Sequence, residues 1–253
     1  MLGGCADQPL TVTREPVAYQ LVAAESCASL AHELAAAYEH TYPWVTLEVQ
    51  VLNTALATRA LAAGEADVAL VPWLDEQAGA SGVWTTPVAR LGVAVVANDS
   101  LPLHDLRLGH LYEMYRGRLQ EWDGHVLVIV SREEGSGTRA LFEAGVLRGR
   151  EMSALTAVML PTSRAVLDFV AATPDAIGYV ATTVLSGSLP ANVHVVAVEG
   201  VPPTREALAD GRYPLAGSLH LATVGEPAGP LRDFAQWVLS PPGQAIIARY
   251  GNW

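Results

Sequence analysis

The residues best able to do chemistry lie together between Ser131 and Phe142, in the order Ser-Arg-Glu-Glu-Gly-Ser-Gly-Thr-Arg-Ala-Leu-Phe. An apolar run, Val126-Leu127-Val128-Ile129-Val130, precedes them, and helical spacing begins at the Gly-Ser-Gly-Thr turn. Such a strand–turn–helix junction suits a small oxyanion. Glycines let the backbone come close and take unusual dihedrals. The first amides of a helix lack intrahelical acceptors, and the macrodipole favours negative charge in front of them. Ser136 and Thr138 add hydroxyl donors, and Arg132 or Arg139 supplies a guanidinium able to hold two oxygens at once. The spacing excludes a P-loop, which needs G-x-x-x-x-G-K-[ST], and a nucleophile elbow, which needs G-x-S-x-G. A capped surface turn with no ligand remains open on spacing alone.

Other reactive side chains point to less. The seven histidines are scattered, with His32 and His40 on one predicted helix and His104 and His110 near another, and none stands at metal-ligand spacing. No metal or cofactor is expected. Cys27 sits in an apolar setting and reads as a small buried hydrophobe. Cys5 follows Leu2-Gly3-Gly4, the shape of a bacterial lipobox, which would make it a lipid-anchored N-terminus with residues 1–16 as a tether. Trp44, Trp73, Trp84 and Trp122 read as packing, with a cleft-lining role open for Trp73. Glu133-Glu134 would oppose an anion and should turn outward.

Along the chain, strands alternate with helices. Tyr19–Ala23 reads as a strand, and Glu25–Ser29 as a loop and helix start. Leu30, Leu34, Ala37 and Tyr38 then share one helical face that ends before Pro43. Val45–Val51 alternates apolar and polar residues, a half-buried strand. Asn53-Thr54 caps a helix carrying Leu56 and Leu61, which Gly64 ends. Asp67–Val71 is a further strand, and Val88–Ala97 a long apolar run. Asp105 is expected to cap a helix with Leu106, Leu111 and Met114. Val126–Val130 reads as a strand buried on both faces. Helices at Thr138–Leu147, Ser163–Ala172, Pro230–Leu239 and Pro242–Arg249 and strands at Ala176–Val180, Val193–Val198 and Leu219–Val224 complete the pattern. The class is α/β, with helices covering a largely parallel sheet.

Composition narrows the function. Of 253 residues, 15 are basic and 26 acidic, a net charge of −11; none is Lys, so every cationic side chain is Arg or a protonated His. An acidic chain does not fit nucleic acid or anionic membrane surfaces. At 51% hydrophobic and 16% charged, disorder is excluded, and no apolar run nears the ~18 residues of a membrane span.

Arg132-x-x-Gly135-Ser136-Gly137-Thr138-Arg139 after an apolar strand resembles the phosphate-binding proteins of bacterial ABC importers. Leu106–Trp122, Ala176–Val180, Tyr213-Pro214-Leu215 and Phe234–Gly243 resemble further segments of that family, in order, from about Val17 onward. The resemblance implies the two-lobed type II periplasmic-binding-protein fold, with mixed, mostly parallel sheets and a hinge. Val88–Ala97 would be the first crossing, with the second between Val193 and Ser218. One lobe would be 17–90 plus 202–253 and the other 91–201. The implied protein is an extracytoplasmic, non-enzymatic, monomeric solute-binding protein. It would bind inorganic phosphate in the cleft and deliver it to an ABC permease.

Carried over by position, the ligand would meet Ser26, Asn53, Thr54, Arg132, Ser136, Gly137 and Thr138. Two departures stand out. Asn53-Thr54-Ala55 replaces a Gly-Ser-Gly turn, and Val71-Pro72 aligns with the Ser-Asp pair whose Asp accepts the proton of phosphate in that family. A site of donors alone would take sulfate, molybdate or tungstate at least as well. Glu25 is the first candidate for a replacement proton acceptor, with Asp75 and Glu133 poorer ones. A ligand-free sensor or adhesion module on the same fold, and an enzyme acting on phosphate esters, are the rival readings.

Overall fold

The computed structural model describes residues 14–72, 82–148 and 157–250. Cys5, Trp73 and Asp75 lie outside the described residues, as do the expectations resting on them.

The strands are β1 (Val17–Ala24), β2 (Val45–Leu52), β3 (Val68–Val71), β4 (Val83–Asn98), β5 (Asp105–Leu106), β6 (Glu121–Trp122), β7 (His125–Val126), β8 (Val128–Arg132), β9 (Ala157–Leu160), β10 (Ala176–Ala181), β11 (Val193–Val198) and β12 (Ala216–Val224). The helices are α1 (Ala28–Thr41), α2 (Thr54–Ala62), α3 (Leu108–Tyr115), α4 (Gly137–Phe142), α5 (Ser163–Ala172), α6 (Arg205–Ala209), α7 (Gly229–Leu239) and α8 (Pro241–Arg249). The sheet runs β2-β1-β3-β12-β4-β10-β8-β9, with β11 also on β4. Its wings are parallel, β1 with β2 and β3 and β8 with β9 and β10, as crossover helices require. The centre is antiparallel: β12 pairs β3 and β4, and β10 and β11 pair β4.

β4 joins the two lobes. Over its 16 residues it covers about 50 Å. Val88 and Leu91 pack in a core with Leu21, Leu30, Leu34, Leu70, Leu219, Phe234 and Val238. Beyond Gly92 the strand is buried on both faces. Val93 and Val95 enter a core with Leu111, Met114, Phe142 and Tyr179, whereas Ala94 and Val96 enter another with Val130, Val166 and Val170. That alternation follows from the two-residue period of a strand. Gly92 is the tight point, since a Cβ there would lie 2.6 Å from Leu208 and 3.1 Å from Thr182. Ala207, Leu208, Tyr213 and Leu215, inside the range expected to belong with 202–253, pack in the second lobe's core.

Several elements differ from their sequence expectations. Asp105 caps no helix: it lies in β5, and its Oδ1 accepts from the amide of Gly200, while α3 starts after Arg107. Pairing of β5 with β11 takes the backbone that the helix would have used. The buried strand is Val128–Arg132, whereas Val126 is 70% exposed in the β6–β7 hairpin. The helix after the glycine turn is α-helical only to Phe142 and continues as a π-helical turn, Glu143–Leu147. Arg14–Pro16 has no regular structure, but Arg14 stacks on Trp44 at 4.7 Å.

Candidate functional site

Three strand ends on two lobes meet. β1 runs into a 3-10 turn, Glu25–Cys27; Asn53 caps α2 after β2; and Ser136 caps α4 shortly after β8. All three follow the carboxyl ends of parallel strands, where α/β sheets hold ligands. Glu25, Ser26, Asn53, Thr54, Arg132, Ser136, Gly137 and Thr138 line one pocket. These are the seven side chains and amides carried over by position, together with the candidate proton acceptor. Arg139 stands behind it, bonding Glu143 at 2.6 Å and the carbonyl of Arg132 at 3.3 Å. The pocket is tight: it leaves about 10 Å³ for the centres of water-sized molecules, room for one water.

Backbone contact across the cleft is direct. Gly135 adopts φ +82°, and its carbonyl accepts from the amide of Ala55 at 3.0 Å. A Cβ at Gly137 would lie 2.5 Å from Thr54 Oγ1 and 2.7 Å from Pro72. The glycines are therefore needed for close approach of the lobes. One expectation changes in detail: the Gly137 amide, expected to face a ligand, donates to Thr54 Oγ1 at 3.0 Å. This bond has a polar consequence. Thr54 Oγ1 is spent as an acceptor, as is Ser136 Oγ, which caps the amide of Arg139 at 3.4 Å. Both hydroxyl protons are left to point elsewhere as donors. Asn53 Oδ1 likewise accepts from Leu56, which leaves its NH₂ as a donor.

Arg132 is 1% exposed. Its Nη1 donates to Ser163 Oγ at 2.7 Å, and its Nη2 to Glu25 Oε2 at 2.9 Å and to the Pro161 carbonyl at 2.8 Å. Three of the five N–H groups of a guanidinium are thus used, and Nε has no protein partner. Glu25 Oε1 accepts from the Ser163 amide at 3.1 Å, so this carboxylate both neutralises the arginine and meets the start of α5. Each Glu25 oxygen keeps an unused lone pair. Beneath the site, burial pushes the Tyr179 phenol up to about 12, and its hydroxyl bonds Ser131 at 2.8 Å. It stacks on Phe142 with ring centres 4.0 Å apart. These contacts fix the end of β8, and hence the base of Arg132.

Sequence reasoning missed Ser163, Pro161 and Thr183, which anchor this cluster without lining it. A lone Ser or Thr at a helix start carries no signal of a partner more than 30 residues away. Pro72 offers no acceptor and faces a separate cavity of about 400 Å³. Glu133 does not line the pocket.

Comparison with known proteins bears on the family and the fold. A family model described as a PBP superfamily domain matches residues 11–242. The chain is 29% identical over 165 residues to the phosphate-binding protein PstS of Bacillus subtilis, covering 63% of this chain and 53% of that protein. It is 31% identical over 126 residues to the phosphate-binding protein PstS 2 of Streptococcus pneumoniae, covering 47% and 42%. The matched stretch thus spans about half the length of these curated relatives. Among solved structures, a phosphate ABC transporter substrate-binding protein from Clostridium perfringens, with bound phosphate, superposes with TM-score 0.83 at 22% identity, over 93% of this chain and 98% of that one. An ABC-type phosphate transport receptor from Vibrio cholerae superposes with TM-score 0.79 at 23% identity, over 92% and 98%. At such identities the superpositions carry the fold, and the family model carries the membership: the chain belongs to the PBP superfamily.

Proposed function

We propose that the protein is a non-catalytic, extracytoplasmic solute-binding protein that captures an inorganic oxyanion, phosphate first, and delivers it to an ABC permease. One observation carries this reading: eight polar groups from two lobes, including the start of a helix, converge on one small pocket. The names of the relatives and of the superposed structures supply phosphate as the first anion to test.

In the proposed mechanism the anion gives up its water to the hydroxyls of Ser26, Thr54, Ser136 and Thr138, the amide of Asn53 and the free N–H groups of Arg132. Glu25 accepts a hydrogen bond from the protonated oxygen of the bound anion through its unused lone pairs. The pocket is small and lined from two lobes, so hinge motion that parts and recloses its walls belongs to the mechanism. We place the lobe boundary near Gly92 and Ala216, on the membership of the hydrophobic cores. Among the described residues no histidine lines the pocket to serve its hydroxyls as a base, which does not favour ester hydrolysis.

The test is calorimetric titration with phosphate, sulfate, molybdate and tungstate. Binding of phosphate with one site per chain is expected; silence with all four anions from a cooperatively melting protein would transfer the case to a ligand-free module. The proposal includes monomeric behaviour and anchoring through Cys5. The latter predicts that Cys5→Ser shifts the protein, expressed in a bacterium behind a lipoprotein signal peptide, from the membrane to the soluble fraction.

A further inference from the structure

The turn that carries Glu25 and Ser26 is gripped from the opposite lobe at points outside the anion pocket. Thr183 Oγ1 donates to the carbonyl of Ser26 at 2.5 Å, and both residues are buried, 157 positions apart in the chain. Ser163, fully buried, ties the same turn to its own lobe through its amide and its hydroxyl. Its amide donates to Glu25 Oε1, while its hydroxyl accepts from Arg132 Nη1 at 2.7 Å and from the Ala181 amide at 3.3 Å. Ser163 and Thr183 rest on rigid parts of the second lobe. Ser163 opens α5, whose Val166, Leu167 and Val170 are buried, and Thr183 sits in a 3-10 turn directly after β10. Neither lines the anion pocket. Thr183 instead faces an open cleft of about 680 Å³ that shares Glu25 and Ser26 with the pocket. The turn thus lies between the pocket and the outside, and these two residues hold it there.

We propose that Ser163 and Thr183 are positioning residues, the second-lobe jaw of a latch that grips the Glu25–Ser26 turn and sets how long a bound anion is retained. Release requires the lobes to part, and parting them must break the bond from Thr183 to Ser26 and both bonds to Glu25. Capture from the open form makes no use of those bonds until after the anion has arrived. The latch therefore acts on the dissociation rate, as most tuning of affinity does. It is indifferent to which anion is inside.

This inference rests on the oxyanion-binding reading, and the experiment separates the two. Stopped-flow fluorescence gives the association and dissociation rates of phosphate for the wild type, Thr183→Val, Thr183→Ser and Ser163→Ala. Losing one buried hydrogen bond and stranding its acceptor should raise the dissociation rate of Thr183→Val about 3- to 30-fold. The association rate should change less than about 3-fold, with the preference among anions unchanged and Thr183→Ser restoring the slow release. Equal dissociation rates for Thr183→Val and the wild type overturn the latch, as does an anion preference that changes with the latch residue. Should the wild type bind no anion, the transport reading fails instead. The latch is then read from the distance between fluorophores on the two lobes, which must lengthen in Thr183→Val if the latch exists and stay fixed if it does not. Ser163→Ala also touches Arg132, so Thr183→Val carries the decision.

Discussion

Glu25 is the one acidic side chain among the pocket residues, and its charge is cancelled by Arg132 at 2.9 Å. A site that is neutral overall and contains an acceptor with spare lone pairs asks its ligand for a proton. Phosphate retains one across the neutral range, while sulfate, molybdate and tungstate do not. Glu25→Gln should therefore weaken phosphate by about 10²-fold or more and lower its affinity relative to that of sulfate, because an unmatched buried polar group discriminates strongly. Competition titrations of the two anions measure the ratio, and an unchanged ratio would remove Glu25 from the selectivity. Arg132→Met leaves that carboxylate without its partner. Since Glu25 is one-fifth exposed, a loss near the low end for a broken buried pair, about 3 kcal/mol in a denaturant melt, is expected. Cys27 behaves differently. Burial pushes its thiol up to about 12, so alkylation of the native protein at pH 8 should spare Cys27 and proceed only after unfolding, as peptide mass spectrometry would show. The sign of the pH effect follows. The folded thiol stays protonated where the unfolded one ionises, so its contribution to stability is intact at neutral pH and declines from about pH 8.5 toward 12.

At the scale of elements, the α4 start depends on glycine for proximity rather than for an unusual φ. Gly137→Ala puts a methyl within 2.5 Å of Thr54 Oγ1 and 2.7 Å of Pro72, across the cleft and not within its own lobe. Calorimetry should find anion affinity lowered by at least about 10²-fold, with the midpoint of thermal unfolding moved by only a few degrees, since overpacking here opposes closure rather than folding. A large loss of stability with affinity intact would show that the contact is structural. The same elements indicate what a sequence can reveal. The Gly-Ser-Gly-Thr turn and the Asn53 cap are local signals, each placing a donor at a strand end, whereas Ser26 was placed by the family resemblance, and the three meet in one pocket. Ser163 and Thr183 had no such signal, because their role is set by partners 138 and 157 residues away. Asp105 misled for the same reason: a good capping residue was claimed by a tertiary partner, Gly200. The extra length of β4, Val83–Asn98 against Val88–Ala97, was hidden because its first part, Val83-Trp84-Thr85-Thr86-Pro87, shows no two-residue alternation and contains a proline, a residue that argues against a central strand.

At the scale of the molecule, a net charge of −11 means that attraction for an anion is local to the pocket. With hydrogen bonds dominating, phosphate affinity should fall less than about 3-fold between 50 and 500 mM salt, the range over which exposed charges become screened. A steep salt dependence would instead indicate a surface cluster of arginines. Saturating phosphate at about 100 times its Kd should stabilise the fold by about 2.7 kcal/mol, visible as a rise in melting temperature. The path of the chain between lobes has one more implication. It departs on β4 and returns on β12, and these strands are hydrogen-bonded neighbours, with Ala216 opposite Gly92. Topologically, everything from Val93 to Leu215 is an excursion inserted at the tip of a β-hairpin. Replacing that excursion by a two-residue turn should therefore leave a smaller foldable unit, one half of a pair of tongs, in which Ser26 and Thr54 keep their places and have nothing to close upon.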